Sequence, residues 1–338
     1  MLDSPAVRLY SIPTRTMTEH STPDKETPTS QTIVIFGASG DLTSRKLIPA
    51  LYQLERKKRL KHPLHIVGVS RTPMTNEQWR NKLSETTKVF TGITFDSKNW
   101  ETFAQSIHYF SGNVEQSETF VELDHYLKSI EGSNATGRLY YLATSPTLYS
   151  MIIKQLGQSG MADPLQGIRR IIIEKPFGRN LESAEQLNQV LHDSFDENNV
   201  YRIDHYLGKE TVNNILVLRF GNTIFEPTWN RNYIDHIQIT ANEDVLVGHR
   251  ASFYEQAGVL RDMFQSHLLQ LLTFVTMEPP VRFDADAVRD EKVKVLRTIR
   301  AMTADEAVTN TLRGQYRTYR DEPVSINPAA RQRMRQCD

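Results

Sequence analysis

The stretch Thr32–Leu54, TIVIFGASGDLTSRKLIPALYQL, decides the fold because it passes from a β-branched run through a glycine turn into a helical repeat. TIVIF is typical of a short buried strand, and leucines recur at roughly helical spacing after the turn. The turn reads G-x-x-G, with Gly37 and Gly40, and not the G-x-G-x-x-G of the usual dinucleotide fingerprint. The order of elements still predicts the first strand, turn and helix of a dinucleotide-binding unit.

The composition is that of a globular chain with balanced charge. Its 338 residues are enough for about two domains, and they include 40 basic and 40 acidic side chains. This balance argues against a nucleic-acid or membrane-surface partner, and no apolar run reaches the roughly 18 residues of a membrane span. The single cysteine, Cys337, excludes an internal disulfide and a cysteine-based zinc site, so we expect a cytoplasmic location and no metal.

Strands and helices alternate from Thr32 to about Val200. HIVGVSR, GRLYYLAT and IRRIIIEKPFG predict further strands, and TNEQWRNKLSETTKVF predicts a helix. Such alternation is typical of a doubly wound parallel sheet. We therefore predict a Rossmann-like α/β domain over 32–200, preceded at 1–31 by a disordered tail rich in Ser, Thr and Pro.

The pattern changes after residue 200. YRIDHYLGKETVNNILVLRF, RDMFQSHLLQLLTFVTM and DEKVKVLRTI predict helices, whereas YIDHIQITANED alternates like a strand. These elements predict an α+β domain over 201–323, with helices packed against an antiparallel sheet. The last fifteen residues, 324–338, have little apolar periodicity and several arginines, so they form an atypical tail.

The glycine turn has a physical interpretation of its own. Gly37 lets the chain turn sharply without a Cβ clash, and Gly40 lets the backbone approach a bound group. Asp41 is placed to cap the helix that begins there, and the amide groups of that helix terminus attract phosphate. On the turn alone, a strand, turn and helix without any ligand stays a competing interpretation.

The end of the second predicted strand indicates which dinucleotide would bind. An NAD-binding protein places an acidic residue there for the ribose hydroxyls, whereas GVSRT offers Arg71 and no acid. A guanidinium pairs with a 2′-phosphate that a carboxylate would repel. Arg45 and Lys46 add positive charge near the turn. The sequence therefore predicts NADP, although a lone arginine is more often an ordinary surface residue.

Three further segments carry chemical groups. EKPFG places Lys175 at the carboxyl end of a strand, where open α/β sheets bind ligands. RIDHYLGKE places His205 and Lys209 four residues apart, which on one helix face makes a phosphate grip. RDMFQSHLLQ carries Asp262 and His267 in an otherwise apolar helix. Taken singly, the alternatives are a surface His and Lys in the second segment and a core histidine in the third.

Together these segments resemble the glucose-6-phosphate dehydrogenase family. The resemblance runs in order from Thr32 to about Tyr319. It rests on GASGDLTSRKLIPALYQL, EKPFG, RIDHYLGKE, FEPTWNRNYIDHIQIT and GVLRDMFQSHLLQ. It implies a homo-oligomeric enzyme that oxidises glucose 6-phosphate to a 6-phosphogluconolactone while reducing NADP to NADPH, the entry step of the pentose phosphate pathway.

The resemblance also implies a role for each matching residue. His267 would be the general base, and Asp204 would orient it. Ligand contacts would divide between the two halves of the chain. The NADP contacts would be Gly37, Ala38, Ser39, Gly40, Asp41, Leu42, Arg45, Lys46, Arg71 and Lys175, and the sugar-phosphate contacts would be Lys175, His205, Tyr206, Lys209, Glu243 and Asp262.

The ending departs from the family pattern, because VSINPAARQRMRQCD stands where the resemblance implies the rest of a large antiparallel sheet. It predicts a frameshift or premature stop near Val324, with a natural short variant as the competing explanation. We expect impaired activity and leave the oligomeric state open. The alternatives to the enzyme are an inactive NADP-binding remnant or regulator, and another NADP-dependent sugar oxidoreductase.

Overall fold

The structure is a computed structural model that describes residues 30–60, 63–132, 136–243, 246–247, 254 and 257–319. The predicted tails at 1–31 and 324–338 therefore lie outside the described residues, except for Ser30 and Gln31, which belong to the first strand. Among the described residues, no helix combines the length and the apolar character that crossing a membrane requires.

Six parallel strands form one sheet in the order β3-β2-β1-β4-β5-β6. This order opens a crevice between the carboxyl ends of β1 and β4, where the connections turn in opposite directions along the sheet. The predicted doubly wound sheet is thus confirmed. Its strands are β1 (Ser30–Phe36), β2 (Leu64–Ser70), β3 (Ile107–Ser111), β4 (Thr136–Leu142), β5 (Arg169–Ile173) and β6 (Val200–Arg202).

Helices cover both faces of the sheet, as a parallel sheet requires. A π-helical turn, Thr43–Leu47, leads into the first of them. Side chains alternate along β1, so Val34 and Phe36 pack on one face while Ile35 packs on the other. The six helices are α1 (Ile48–Arg56), α2 (Asn76–Thr91), α3 (Ser97–Ala104), α4 (Ser117–Glu131), α5 (Tyr149–Gln158) and α6 (Leu181–His192).

The segment after β5 corrects one prediction. YRIDHYLGKETVNNILVLRF is not a single helix, because the Ile203 N–H still pairs with the Ile173 carbonyl and extends the sheet. Asp204 then ends the strand, since its carboxylate accepts from the Tyr206 N–H and begins the 3₁₀ turn His205–Gly208. Only after this turn does helix α7 (Glu210–Phe220) begin.

The rest of the second half is helical or irregular where it is described. RDMFQSHLLQLLTFVTM is helical as predicted, first as a π-helix over Leu260–Leu268 and then as α8 (Leu269–Thr276). The predicted strand in YIDHIQITANED is absent from the described residues, since 234–243 are mostly exposed and have no neighbouring strand to pair with. Two more helices follow, α9 (Ala285–Thr298) and α10 (Ala304–Asn310).

Candidate active site

The turn after β1 is closed by glycine. Gly37 has a φ of +96°, and a Cβ at this position would lie 2.2 Å from the Ala143 carbonyl oxygen. No other residue fits, because the turn passes directly over the end of β4. The helical segment that follows begins at Asp41, so its first amide groups lack intrahelical acceptors at the edge where a phosphate would bind.

The prediction that the Asp41 side chain caps the helix is wrong. Its carboxylate lies 3.5 Å from the Arg45 Nε on the exposed side of the helix. The turn is instead fixed by the Thr43 hydroxyl, which donates to the Gly37 carbonyl at 3.0 Å. Arg45 and Lys46 are exposed, as the prediction of positive charge near the turn requires.

The middle of the turn contacts the neighbouring strand β2. Ala38 is buried and its N–H donates to the Val69 carbonyl at 3.1 Å, while Leu42 is half-buried. The hydroxyls of Ser39 and Ser70 are hydrogen-bonded at 2.8 Å, which ties the turn to the end of β2. These contacts hold the turn in one position relative to the sheet.

The end of β2 carries a basic and no acidic side chain. Arg71 directly follows β2 and is exposed. Its guanidinium forms no hydrogen bond or ion pair with any described residue, so all five of its N–H donors are open to a ligand. The sequence placed Arg71 at this edge correctly.

Lys175 connects the sheet to the second half of the chain. It stands two residues beyond β5, at the carboxyl edge of the sheet. Its Nζ donates to the Asp262 carbonyl at 2.5 Å and contacts the Asp262 Oδ1 at 2.9 Å and the His267 Nε2 at 2.8 Å. The three protons of the ammonium group are therefore all engaged.

His267 is buried and pairs with the half-buried Asp204. The imidazole is 1% exposed, and its Nδ1 lies 2.5 Å from the Asp204 Oδ1. Asp262 and His267 are five residues apart within the π-helical segment, a rare winding that occurs often at functional sites. Both predicted catalytic residues are thus in contact, on different elements of the chain.

Tyr206 organises the remaining predicted residues. Its ring stacks on the His267 imidazole with centroids 4.1 Å apart, and the His205 ring meets it edge-on at 5.1 Å. The Lys209 Nζ lies 3.5 Å from the centre of the same ring, and the Tyr206 hydroxyl donates to Glu243 at 2.7 Å. His205 and Lys209 therefore meet at one site, although not through the helix face predicted for them.

Comparison with known proteins explains this combination of a dinucleotide turn and a histidine–aspartate pair. A family model described as the NAD binding domain of glucose-6-phosphate dehydrogenase matches residues 34–214, and the C-terminal domain model of the same family matches 216–330. The chain belongs to the glucose-6-phosphate dehydrogenase family. The resemblance carried by the motifs is therefore confirmed, as is the predicted fold class.

Individual members of the glucose-6-phosphate dehydrogenase family are similar to this chain in sequence and in structure. The enzyme of Chlamydia pneumoniae is 43% identical over 300 residues, covering 87% of this chain and 58% of its own. A solved glucose-6-phosphate dehydrogenase in complex with its substrate glucose 6-phosphate superimposes with a TM-score of 0.76 at 38% identity, covering 83% of this chain and 58% of the other. The Mycobacterium avium structure gives 0.77 at 37% identity, covering 88% and 61%. The chain thus spans about 60% of the length of these relatives.

Charges in this site are set by burial and hydrogen bonding. Burial alone would raise the pKa of Asp204, but hydrogen bonds from His267 and from the Tyr206 N–H outweigh it and hold the pKa below its usual range. Burial and repulsion from His267 lower the pKa of His205. Burial and the Glu243 carboxylate raise the pKa of Tyr206 to about 12. At neutral pH the site therefore holds an ionised Asp204, a neutral His205 and a protonated Tyr206.

The same cluster has the composition of a metal site. Donor atoms of Asp204, His205 and His267 lie within 4.8 Å of one another, which is close enough to hold an ion. Both nitrogens of His267 are already engaged, however, and the Lys175 ammonium beside Nε2 would repel a cation. We therefore interpret the cluster as an acid–base site.

Sequence reasoning missed one pair of residues at the edge of the sheet. The Tyr141 hydroxyl donates to the Glu174 Oε1 at 2.6 Å, immediately before Lys175. A signal was present, because Glu174 belongs to EKPFG and Tyr141 lies near the end of the strand GRLYYLAT. Only the pairing of β4 with β5 in space brings the two together.

Proposed function

We propose that this chain oxidises the anomeric carbon of glucose 6-phosphate and reduces NADP, forming a 6-phosphogluconolactone. The observation that carries the proposal is the contact of Lys175, at the edge of the dinucleotide sheet, with the His267–Asp204 pair. A base with its orienting carboxylate thus lies beside the dinucleotide crevice, as hydride transfer from an alcohol requires. The similarity to a glucose-6-phosphate dehydrogenase in complex with glucose 6-phosphate supports the choice of substrate.

The residues at the crevice fit NADP. Gly37 lets the turn pass directly over the Ala143 carbonyl, and the helix terminus at Asp41 supplies amide donors for the pyrophosphate. The open guanidinium of Arg71 would pair with the 2′-phosphate, next to the hydroxyls of Ser39 and Ser70. When bound, the nicotinamide accepts the hydride. We propose that this cofactor half spans 32–200, with its sheet continuing to the end of β6.

His267 would act as the general base through its Nε2. The Nδ1 faces the ionised Asp204, so Nδ1 carries the proton and Nε2 is the acceptor. Lys175 now donates to this Nε2, and the anomeric hydroxyl of the sugar would replace that contact. Asp204 would hold the ring in this tautomer and stabilise the imidazolium that forms after proton transfer.

The substrate half, proposed to span 201–323, would position the sugar against His267. Lys209 supplies the positive charge for the phosphate, whereas the neutral His205 supplies a hydrogen-bond donor. Tyr206 contacts both His267 and Glu243, so it connects the base to the residues proposed for the sugar hydroxyls. Glu243 and Asp262 would accept hydrogen bonds from those hydroxyls.

The test is turnover of purified protein with glucose 6-phosphate and NADP, followed by the absorbance of the reduced nicotinamide. We expect NADPH with glucose 6-phosphate and much less with glucose. His267→Asn should lower the rate by about 10²–10⁴, the usual contribution of a positioned base, without weakening NADP binding in calorimetry. His236→Asn is the matched control, because His236 is an exposed histidine whose hydrogen-bond partner among the described residues is its neighbour Asp235. A His267 variant with normal turnover would exclude the assigned role.

The cofactor preference has its own test. Arg71→Ala removes a charge-assisted contact worth about 1.5–3 kcal/mol, so affinity for NADP should fall roughly 10- to 100-fold while affinity for NAD stays unchanged. Calorimetric titration of both cofactors measures this. Arg170→Ala, at the exposed Arg170 of β5, controls for loss of a surface charge. A wild-type protein that prefers NAD would contradict the proposal.

A further inference from the structure

Lys292 is a half-buried lysine on helix α9, which packs against α8. It follows Val288 by four residues and precedes Val295 by three, so the three side chains share one face of the helix. Val288 and Val295 pack against the small apolar cluster that contains Phe274. Lys292 therefore stands on an apolar face, where burial of a charge is costly unless an opposite charge offsets it.

The ammonium group of Lys292 lies against the helix that carries the proposed base. Its Nζ is 5.0 Å from the centre of the Phe274 ring. Phe274 follows Gln270 by four residues and His267 by seven, so these three side chains lie along one face of that helix. Among the described residues, the Lys292 Nζ has no hydrogen-bond or ion-pair partner. Its positive charge is therefore not neutralised by direct contact within that part of the chain.

Two buried acceptor atoms are unpaired near His267 among the described residues. Asp204 uses Oδ1 for the His267 Nδ1, whereas its Oδ2 has no hydrogen-bond partner there. The Gln270 Oε1, one helical turn from His267, is the second such atom. Burial lowers the pKa of Lys292, and attraction to the Asp204 carboxylate opposes this effect. The ammonium and the carboxylate therefore interact electrostatically without a hydrogen bond between them.

Other groups surround the His267–Asp204 pair, and Lys292 differs from them in position. The titratable groups that face the pair from the other packed elements are Lys175, His205, Tyr206, Lys209, Glu243 and Asp262. Lys175 contacts the His267 Nε2, the atom that the sugar hydroxyl would approach. Lys292 acts from α9 on Asp204 instead, so its charge does not depend on the contact that the substrate would replace.

A carboxylate beside an imidazole favours the protonated ring, and a protonated ring cannot act as a base. We propose that Lys292 is a positioning residue whose charge offsets part of the negative charge of Asp204, so that His267 stays neutral in the free site. The Nε2 of His267 is then ready to accept a proton from the substrate. The inference rests on the proposed function, because it takes His267 to be the base. Lys292 acts through Asp204 and is assigned no contact with the sugar or the cofactor.

The competing explanation is purely structural. The methylene groups of a lysine can cover an apolar surface while its ammonium group reaches toward water, and Lys292 would then serve only to cover Phe274. A methionine at this position fills a similar volume without the charge, whereas an arginine keeps the charge with a different shape. The two explanations are therefore separable by comparing these variants.

The experiment is an NMR pH titration of the full chain with isotope-labelled histidine. Among the ten histidines, the signal of His267 is assigned by its loss in His267→Asn. Lys292→Met and Lys292→Gln should move the midpoint of His267 protonation to higher pH by about 0.5–1 unit, the scale of one partly screened charge. Lys292→Arg should keep the wild-type midpoint. Lys294→Met is the control, because Lys294 is an exposed lysine of the same helix that pairs with Glu291.

A higher midpoint in both uncharged variants, with Lys292→Arg and Lys294→Met like wild type, supports the inference. An unchanged midpoint in Lys292→Met overturns it, as does a shift in Lys292→Arg as large as in Lys292→Met, which would indicate packing. A Lys292→Gln variant that titrates like wild type would also overturn it, because a hydrogen bond and not charge would then suffice. The titration needs no turnover, so a chain inactive with glucose 6-phosphate and NADP would contradict the proposed function and leave this result readable.

Discussion

The sheet region, 30–202, and the described residues after it, 203–319, are stabilised in different ways. The largest fully buried side chains all lie in the sheet region, and all of them except Arg138 pack in two apolar clusters, one on each face. The later region has one small cluster, in which only Val212, Phe274 and Met277 are buried. Many of its large apolar side chains are exposed instead, including Ile224, Phe225 and Tyr233 in the segment after α7.

Hydrogen bonds, in place of extensive apolar burial, hold the later region together. Lys175 contacts the helix that carries His267 from the sheet region, and Asp204 contacts it from the segment directly after β6. Arg219 binds the carboxyl end of the same helix. A helix held mainly by hydrogen bonds opens more readily than one held by apolar burial, because each such bond contributes only about 1 kcal/mol net. The proposed base therefore lies in the region with less apolar burial, and Lys175 of the sheet region helps to position it.

The largest expected effect on stability comes from breaking the sheet region at its turn. Gly37→Ala would force a Cβ to within 2.2 Å of the Ala143 carbonyl at a positive φ, so one of the two loops must move. We expect a loss of about 2–4 kcal/mol in the free energy of unfolding, together with loss of dinucleotide binding. Denaturant unfolding and NADP titration measure the two effects.

Gly160→Ala separates backbone strain from the clash at Gly37. Gly160 also has a positive φ, +74°, but its added Cβ would meet only the Gln166 Nε2 at an ordinary 3.7 Å. This control should cost about 1–2 kcal/mol and leave NADP binding intact. Equal behaviour of the two variants would show that the contact with Ala143 does not constrain the turn.

The second-largest expected loss of stability should be confined to the later region. Arg219 is 5% exposed and donates to the Phe274 and Met277 carbonyls at 2.7 and 2.8 Å, which satisfies the carboxyl end of α8. Arg219→Leu leaves these carbonyls without their donor, so we expect a loss of about 2–3 kcal/mol. Hydrogen exchange should speed up in α8 and stay slow in β4.

Arg297→Leu, at an exposed arginine of α9, is the control and should change neither rate. If Arg219→Leu accelerated exchange in β4 as much as in α8, the two regions would open as one unit. The sheet region and the later region would then differ in packing but not in stability.

The same contrast explains what the sequence could predict. Strands and helices of the sheet region follow from local apolar periodicity, because both faces of a parallel sheet are buried. In the later region the signal holds for RDMFQSHLLQLLTFVTM and DEKVKVLRTI, which are helical as predicted, and fails for the other two segments. A single helix was predicted where Asp204 in fact ends a strand extension and opens a 3₁₀ turn, since one capping hydrogen bond overrides the propensity of the following residues.

The site residues likewise divide into those that the sequence predicts and those that only the folded structure brings together. Gly37, Arg71 and Lys175 were predictable because each stands at a fixed place on a turn or at a strand end. The pairing of His267 with Asp204 came only from resemblance, since 63 residues separate the two and their contact depends on tertiary packing. Glu174 and Tyr141 were missed for the same reason, because a hydrogen bond between neighbouring strands leaves no periodic mark in the sequence.

The smallest expected effect is a pH dependence that belongs to the sheet region. His108 lies on the edge strand β3, 5.7 Å between ring centroids from His65 on β2. Burial, then repulsion from His65 and Arg80, lowers the pKa of His108 to about 4, against about 6.5 in an unfolded chain. Between these values the unfolded chain binds a proton that the folded chain does not, so stability falls as the pH drops from about 6.5 to about 4. With allowance for partial exposure to solvent, the loss should be about 1–2 kcal/mol.

His108→Gln removes this titration, so its stability curve should be flatter than that of wild type across the same window and parallel to it above pH 7. Denaturant unfolding at half-unit pH intervals measures the difference. His192→Gln is the control, because His192 is an exposed histidine whose ring contacts Glu197 at the surface. If wild type and His108→Gln lost stability equally on acidification, protonation of His108 would not be what weakens the edge of the sheet.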